Sequence, residues 1–240
     1  MNKYNPWPLG QIPKELQRQE PYIIREMGYK WDDPRDIVDI FEKKVAKFAG
    51  SNYAVSTDSC THAIFLSLQY LMRFSNIFHE LAKKLSCLNI PAHTYISIPQ
   101  QLSRASILFQ FNNIKWHGIY QLEPTRIWDA ALRWTKGMYI KDSLMCLSFQ
   151  IKKRIPIGRG GMILCDKKEE YNWLKLASYD GRDLNTPYDS EGHVKMNGWH
   201  YYMTPEDAAR GIILMDSIPD VNEDQGGWEN YPDLMWLQRK

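Results

Sequence analysis

A chain of 240 residues, 44% apolar and 24% charged, can bury one sizeable core, with or without a small appendage, and has the composition of a globular protein. Its net charge of +2 gives no reason to expect nucleic acid or a polyanionic surface as a partner. No apolar run reaches the roughly eighteen residues a membrane span needs, and the opening MNKYNPWPLG lacks the apolar stretch of a secretory signal.

Residues 1–14 are punctuated by Pro6, Pro8, Gly10 and Pro13 and read as irregular, with Trp7 heavy enough to pack down somewhere. A short helix is expected over 15–27. Asp32-Asp33-Pro34 opens the next helix, and Ile37, Ile40, Phe41, Val45 and Phe48 follow at helical spacing until Gly50 stops it. Tyr53 to Ser56 is a short strand. A turn of small polar residues then leads into a helix carrying Ile64, Phe65, Leu66, Leu68 and Leu71. The free N–H groups and positive dipole end of such a helix suit a phosphate. Residues 74–86 are helix or loop, Leu88 to Pro91 a strand, 96–105 a helix, and 107–111 a strand. The run from Trp116 leads into Arg126-Ile-Trp-Asp-Ala-Ala131, where an acid at the end of a buried strand needs a partner. After a helix over 169–179, residues 180–197 are polar and turn-rich. Thr204-Pro205-Glu206 caps a last helix, and the tail from Pro219, acidic then aromatic, is expected to be loosely ordered. Strands alternating with helices argue for an α/β fold with a mostly parallel sheet flanked by helices.

One stretch dominates the chemistry. Met145–Phe149 and Met162–Cys165 are apolar runs of strand length, joined across Lys152, Lys153, Arg154, Pro156 and a Gly158-x-Gly160-Gly161 turn. A lysine at the end of a buried strand loses solvation, which favours its neutral, nucleophilic form. By itself the stretch reads equally as a basic hairpin loop with solvated lysines. Cys60, Cys87, Cys146 and Cys165 form no C-x-x-C pair and read as reduced thiols of a cytoplasmic protein, not as a zinc site or a disulfide framework.

Ser148-Phe149-x-x-x-Lys153 followed by Gly158-x-Gly160-Gly161 resembles the cofactor-lysine segment of the DegT/StrS-type sugar aminotransferases, pyridoxal-phosphate (PLP) enzymes of the fold-type I class. Four more segments agree in order. Ser59-Cys60-Thr61-His62-Ala63-Ile64 stands where the family has Ser-Gly-Thr-Ala-Ala-Leu, Tyr95 follows Ala92-His93-Thr94, Asp129 opens Asp-Ala-Ala, and Gly198 to Met203 precedes the capped helix. The resemblance spans roughly residues 36–216. It implies a fold-type I large domain with a truncated small domain, that is, a reduced member. It divides the chain into an arm and short helix (1–35), a PLP-binding large domain (36–180), and an interface loop, helix and vestigial C-terminal segment (181–240).

Carried over residue by residue, the resemblance makes Lys153 the catalytic lysine that carries the aldimine. Ser148 and the backbone at Cys60, Thr61 and His62 would bind the cofactor phosphate, Tyr95 would stack on the pyridine ring, and Asp129 would pair with the ring nitrogen. His200, at the place of an asparagine that crosses the dimer, would reach the other subunit's phosphate. Cys60 replaces a glycine, and Leu132 replaces a Gln or His and cannot donate a hydrogen bond. The implied function is transfer of an amino group, from glutamate as donor, to a nucleotide-linked keto sugar by a cytoplasmic homodimer with shared active sites. The alternatives are a PLP-binding protein without transaminase activity, or another PLP-dependent reaction on sugars such as dehydration. Retention of Lys153 argues against the latter, because related dehydratases carry a histidine there.

Overall fold

A computed structural model describes residues 16–84, 86–187 and 190–239; the expectations for the first fifteen residues, Trp7 among them, lie outside these. In chain order the elements are α1 (Glu20–Glu26), α2 (Asp36–Ala49), β1 (Tyr53–Thr57), α3 (Cys60–Phe74), α4 (Ile77–Lys83), β2 (Leu88–Pro91), α5 (Ser97–Arg104), β3 (Phe109–Asn112), β4 (Tyr120–Gln121), β5 (Ile127–Asp129), β6 (Leu144–Ser148), β7 (Gly161–Cys165), α6 (Lys168–Ser178) and α7 (Pro205–Ser217). The ends expected at Gly50 and Thr204 hold, while α2 begins at Asp36, after the expected Asp32-Asp33-Pro34 start. Gly50 ends α2 in the left-handed region, and the Ser59 and Thr204 hydroxyls accept the amides of His62 and Asp207 at the starts of α3 and α7.

The five-stranded sheet runs β1-β7-β6-β5-β4, and β2 with β3 forms a second, parallel pair. Backbone hydrogen bonds between Asn89 and Glu123 join the two. Side chains of the central strands alternate between two cores, as the pleat requires. Val55, Leu144, Cys146, Ile163 and Cys165 pack on one face with Ile64 and Leu68 of α3 and Leu102 of α5. Ala54, Met145, Leu147, Met162 and Leu164 pack on the other with Phe41 and Val45 of α2 and Ile212 of α7. The result is helices on both faces of a sheet, the α/β layering expected.

The sheet is mixed, where a mostly parallel one was expected. Among the described residues three pairings are antiparallel (β1–β7, β6–β7, β4–β5) and two are parallel (β5–β6, β2–β3). For β4–β5 the reason is the length of the connection. Parallel strands need a crossover of about a dozen residues or more, usually a helix, and only residues 122–126 lie between these two. β4 and β5 close as a hairpin that sets Tyr120 opposite Asp129.

The tail departs further from expectation. It is not loose: Leu234 is buried at 2% exposure, and the chain from Asp220 to Leu234 lies hydrogen-bonded against residues 92–93, 116–118 and 132–136. Its aromatic half, acid-flanked and without period, carries no local pattern of its own; it is ordered by the groove it fills. No helix among the described residues is long and apolar enough to cross a membrane.

Candidate active site

The C-terminal ends of β5 and β6, the start of β7 and the start of α3 converge on one cavity of about 690 Å³. The convergence depends on Gly161. Paired with Ser148 across β6–β7, it lies so close to the start of α3 that a Cβ there would stand 2.4 Å from the Cys60 amide nitrogen. Only glycine lets the two backbones meet. Cys60 and Thr61, the first residues of α3, have no carbonyl a turn earlier to receive their amides within the helix.

Six of the eight residues singled out from sequence line this cavity: Cys60, Thr61, Tyr95, Asp129, Ser148 and Lys153. His62 does not. Its amide bonds Ser59 Oγ at 3.2 Å, its Nδ1 lies 2.5 Å from Asp58 Oδ1, and its ring stacks on Tyr201 at 3.6 Å between centroids. His200 is also outside the cavity of its own chain. Its side chain is 69% exposed, and Nδ1 lies 2.9 Å from Asp180 Oδ2. Lys152, the alternative to Lys153, is an exposed cavity neighbour whose carbonyl accepts from Gln225 Nε2 at 3.1 Å.

Asp129 is buried, and both its oxygens are held: Ala131 N donates to Oδ1 at 2.9 Å and the Tyr120 hydroxyl to Oδ2 at 2.8 Å. Burial raises its pKa, while these two donors and the charge of Lys153 pull it back. Behind Tyr120, the Thr94 hydroxyl lies 2.6 Å from the phenol oxygen, so a Thr94–Tyr120–Asp129 relay fixes the carboxyl. The Lys153 ammonium has no hydrogen-bond or ion-pair partner among the described residues. Burial lowers its pKa, and Asp129 and Cys60 oppose this. Burial also raises the Cys60 thiol well above its ordinary value, so it stays protonated. The Thr61 hydroxyl lies 2.8 Å from Ser97 Oγ on the same wall. No cluster of three or more His, Cys, Asp or Glu side chains suited to a metal occurs among the described residues.

These groups fit pyridoxal phosphate. A buried carboxyl without a cation of its own answers a ring N–H, an amine biased toward neutrality answers an aldehyde, and a helix start beside a serine hydroxyl answers a phosphate. The volume lies within the range of small-molecule sites.

Sequence reasoning did not find Tyr120, Thr94 or Ser97, nor the tail residues Gln225, Asn230 and Tyr231 that line the same cavity. Tyr120 reaches Asp129 only through the hairpin register. The tail residues come from about a hundred positions downstream, with no local signal.

Fold and cavity together define an α/β protein with helices on both faces of a mixed sheet and a cavity at the C-terminal ends of two parallel strands. The model of the DegT/DnrJ/EryC1/StrS aminotransferase family matches residues 25–127. The spore coat polysaccharide biosynthesis protein SpsC of Bacillus subtilis (strain 168) is 25% identical over 267 aligned residues, covering 92% of this chain and 66% of SpsC. The crystal structure of AtS13 from Actinomadura melliaura superposes with a TM-score of 0.67 at 16% identity, covering 83% of this chain and 64% of that one. DesI, solved in the presence of its TDP-sugar product, gives 0.53 at 16% identity, with 85% and 59% covered. The chain thus spans just under two thirds of the length of SpsC and AtS13.

Proposed function

We propose that the chain is a PLP-dependent aminotransferase that moves an amino group from glutamate to a nucleotide-linked keto sugar. The observation that carries this is the placement of Lys153 and Asp129 on the wall of one cavity, the amine biased toward neutrality and the carboxyl fixed by two donors. When bound, the cofactor supplies an electron sink for the carbon that loses its proton. Lys153 holds the cofactor's aldehyde carbon and, when free, moves the proton at the substrate carbon. Asp129 keeps the ring nitrogen protonated. The amides of Cys60 and Thr61 and the Ser148 hydroxyl hold the phosphate. Tyr95, 57% exposed at the cavity rim, covers the ring.

The sugar substrate is supported by the names of the relatives, polysaccharide biosynthesis for SpsC and a TDP-sugar product for DesI. The assembly in this reading is a homodimer in which His200 of each protomer reaches the other's phosphate site; its side chain is 69% exposed, with Nδ1 on Asp180. The division at residues 35 and 180 belongs to the same reading. Four free thiols fit a cytoplasmic location.

One observation favours a silent PLP binder as second reading: Leu132, on the cavity wall, offers no hydrogen bond where a donor is expected. Purified protein given PLP separates the two. A visible absorbance band that glutamate bleaches supports the transferase. A band untouched by glutamate, glutamine or aspartate supports the binder, and absence of any binding removes both.

A further inference from the structure

The chain from Asp220 to Leu234 is bonded to four of the segments around the cavity, at residues 92–93, 116–118, 132–136 and 152–154. Asp224 receives Arg133 through Nε at 2.9 Å and a terminal nitrogen at 2.6 Å, beside the Gln225 N to Leu132 O bond of 2.9 Å. Arg154, next to Lys153, donates to the Glu223 carbonyl at 2.9 Å, and Gln225 Nε2 to that of Lys152. Trp228 N bonds Trp116 O at 3.0 Å, and Leu234 N bonds Ala92 O at 2.9 Å. Gly227 fits this course for want of a side chain: a Cβ would stand 2.2 Å from the Trp116 carbonyl oxygen. The segment is a strap across the cavity mouth.

The strap carries hydrogen-bonding side chains into the cavity, and two of its donors have no acceptor among the described residues. Asn230 and Tyr231 line the wall. Asn230 Oδ1 accepts from Gly227 N, but its amide nitrogen has no acceptor among the described residues, and neither has the Tyr231 hydroxyl. Tyr231 is nonetheless fixed. Its carbonyl lies 2.8 Å from His93 Nδ1, and its ring lies 5.6 Å from that of Trp116, whose indole N–H donates to His93 O. Its hydroxyl is thus a positioned, partly buried donor on the cavity wall, open to a ligand there.

We propose that Tyr231 is a cofactor-binding residue, donating its hydroxyl hydrogen to the bound PLP, and that the strap is the element that presents it. This rests on the reading of the cavity as a PLP site. The donor role suits the surroundings. Burial, and then the nearby Asp129, Cys60 and Tyr95, raise the phenol's pKa, so it keeps its hydrogen at neutral pH. It also answers the apolar Leu132, to whose carbonyl the strap is anchored.

The test is PLP titration by absorbance on the parent, Tyr231→Phe, Asp224→Ala and the double variant, with thermal unfolding of each apo protein. Tyr231→Phe should weaken PLP binding about tenfold, the usual net value of one hydrogen bond to a charged or polar ligand, and leave the apo unfolding midpoint in place. Asp224→Ala, which loosens the strap, should weaken binding too, and adding it to Tyr231→Phe should cost little more. Parent-like affinity in Tyr231→Phe, or a fall in affinity matched by a fall in the apo midpoint, overturns the proposal alone. Full additivity of the two substitutions overturns the strap's part in it. Failure of the parent to bind PLP overturns the cofactor reading and Tyr231's role with it.

Discussion

Tyr120 donates its phenolic hydrogen to Asp129 Oδ2 at 2.8 Å, from directly opposite it across a two-residue antiparallel pairing. The carboxyl therefore stands in one orientation, with Ala131 N on its other oxygen. Asp129→Asn should leave the fold intact, because Oδ1 still accepts that amide and Tyr120 can turn its hydrogen toward Thr94. PLP affinity should fall and the glutamate half-reaction should slow by about a hundredfold or more, since a neutral ring is a poor electron sink. Stopped-flow absorbance on both proteins checks this; equal rates would remove Asp129 from the mechanism.

Lys153→Ala should abolish covalent attachment of PLP, and Lys152→Ala should not. Borohydride reduction followed by peptide mass analysis reads the site directly. A label on Lys152, or on no lysine, would show that the register assigned to the cofactor segment is wrong.

The pH dependence follows from the lowered pKa of Lys153. Between its folded value and the ordinary lysine value of 10.5, the unfolded chain binds more protons than the folded one. Lys153 therefore makes the apo protein more stable as pH rises through that window. Lys153→Met should remove that slope and raise the apo midpoint at neutral pH. Covalent attachment should also reach its plateau below the pH at which a free lysine titrates. Asp129→Asn should move the attachment profile to lower pH, because the Asp129 charge opposes the shift.

Away from the cavity, Glu42 is 3% exposed and accepts from Ser56 N at 2.7 Å, Ser56 Oγ at 2.8 Å and Lys175 Nζ at 2.9 Å. Removing one partner of a buried pair strands the other charge. Lys175→Met should cost about 3–5 kcal/mol of stability by denaturant unfolding, with PLP affinity unchanged once folded.

Light scattering at micromolar concentration should give the mass of a dimer. His200→Ala should weaken PLP retention by about 1–3 kcal/mol. Mixing Lys153→Ala with His200→Ala protomers should restore one intact site per mixed dimer. A monomeric mass with PLP still bound would end the shared-site reading.

The helices and most strands were legible because their cause is local. The apolar spacing of Ile37, Phe41 and Val45, the cap at Thr204, and the stop at Gly50 act within one or two turns. The Lys153 segment stood out only by its resemblance to a family pattern, whose closing glycine, Gly161, must meet the backbone at Cys60. Strand direction was not, since it depends on how connections of a given length close. That is why β4 folds back antiparallel to place Tyr120 on Asp129. Nor was the strap. The stretch from Asp220 to Leu234 has no period, and its order comes from Arg133, Trp116 and His93, each about ninety to a hundred and forty positions away in sequence. The sequence alone determined which residues could do the chemistry. Only the tertiary structure decided that the Asp129 carboxyl is held by Tyr120, that His62 turns to Asp58, and that Tyr231 enters the cavity, because each is a contact between segments that nothing local brings together.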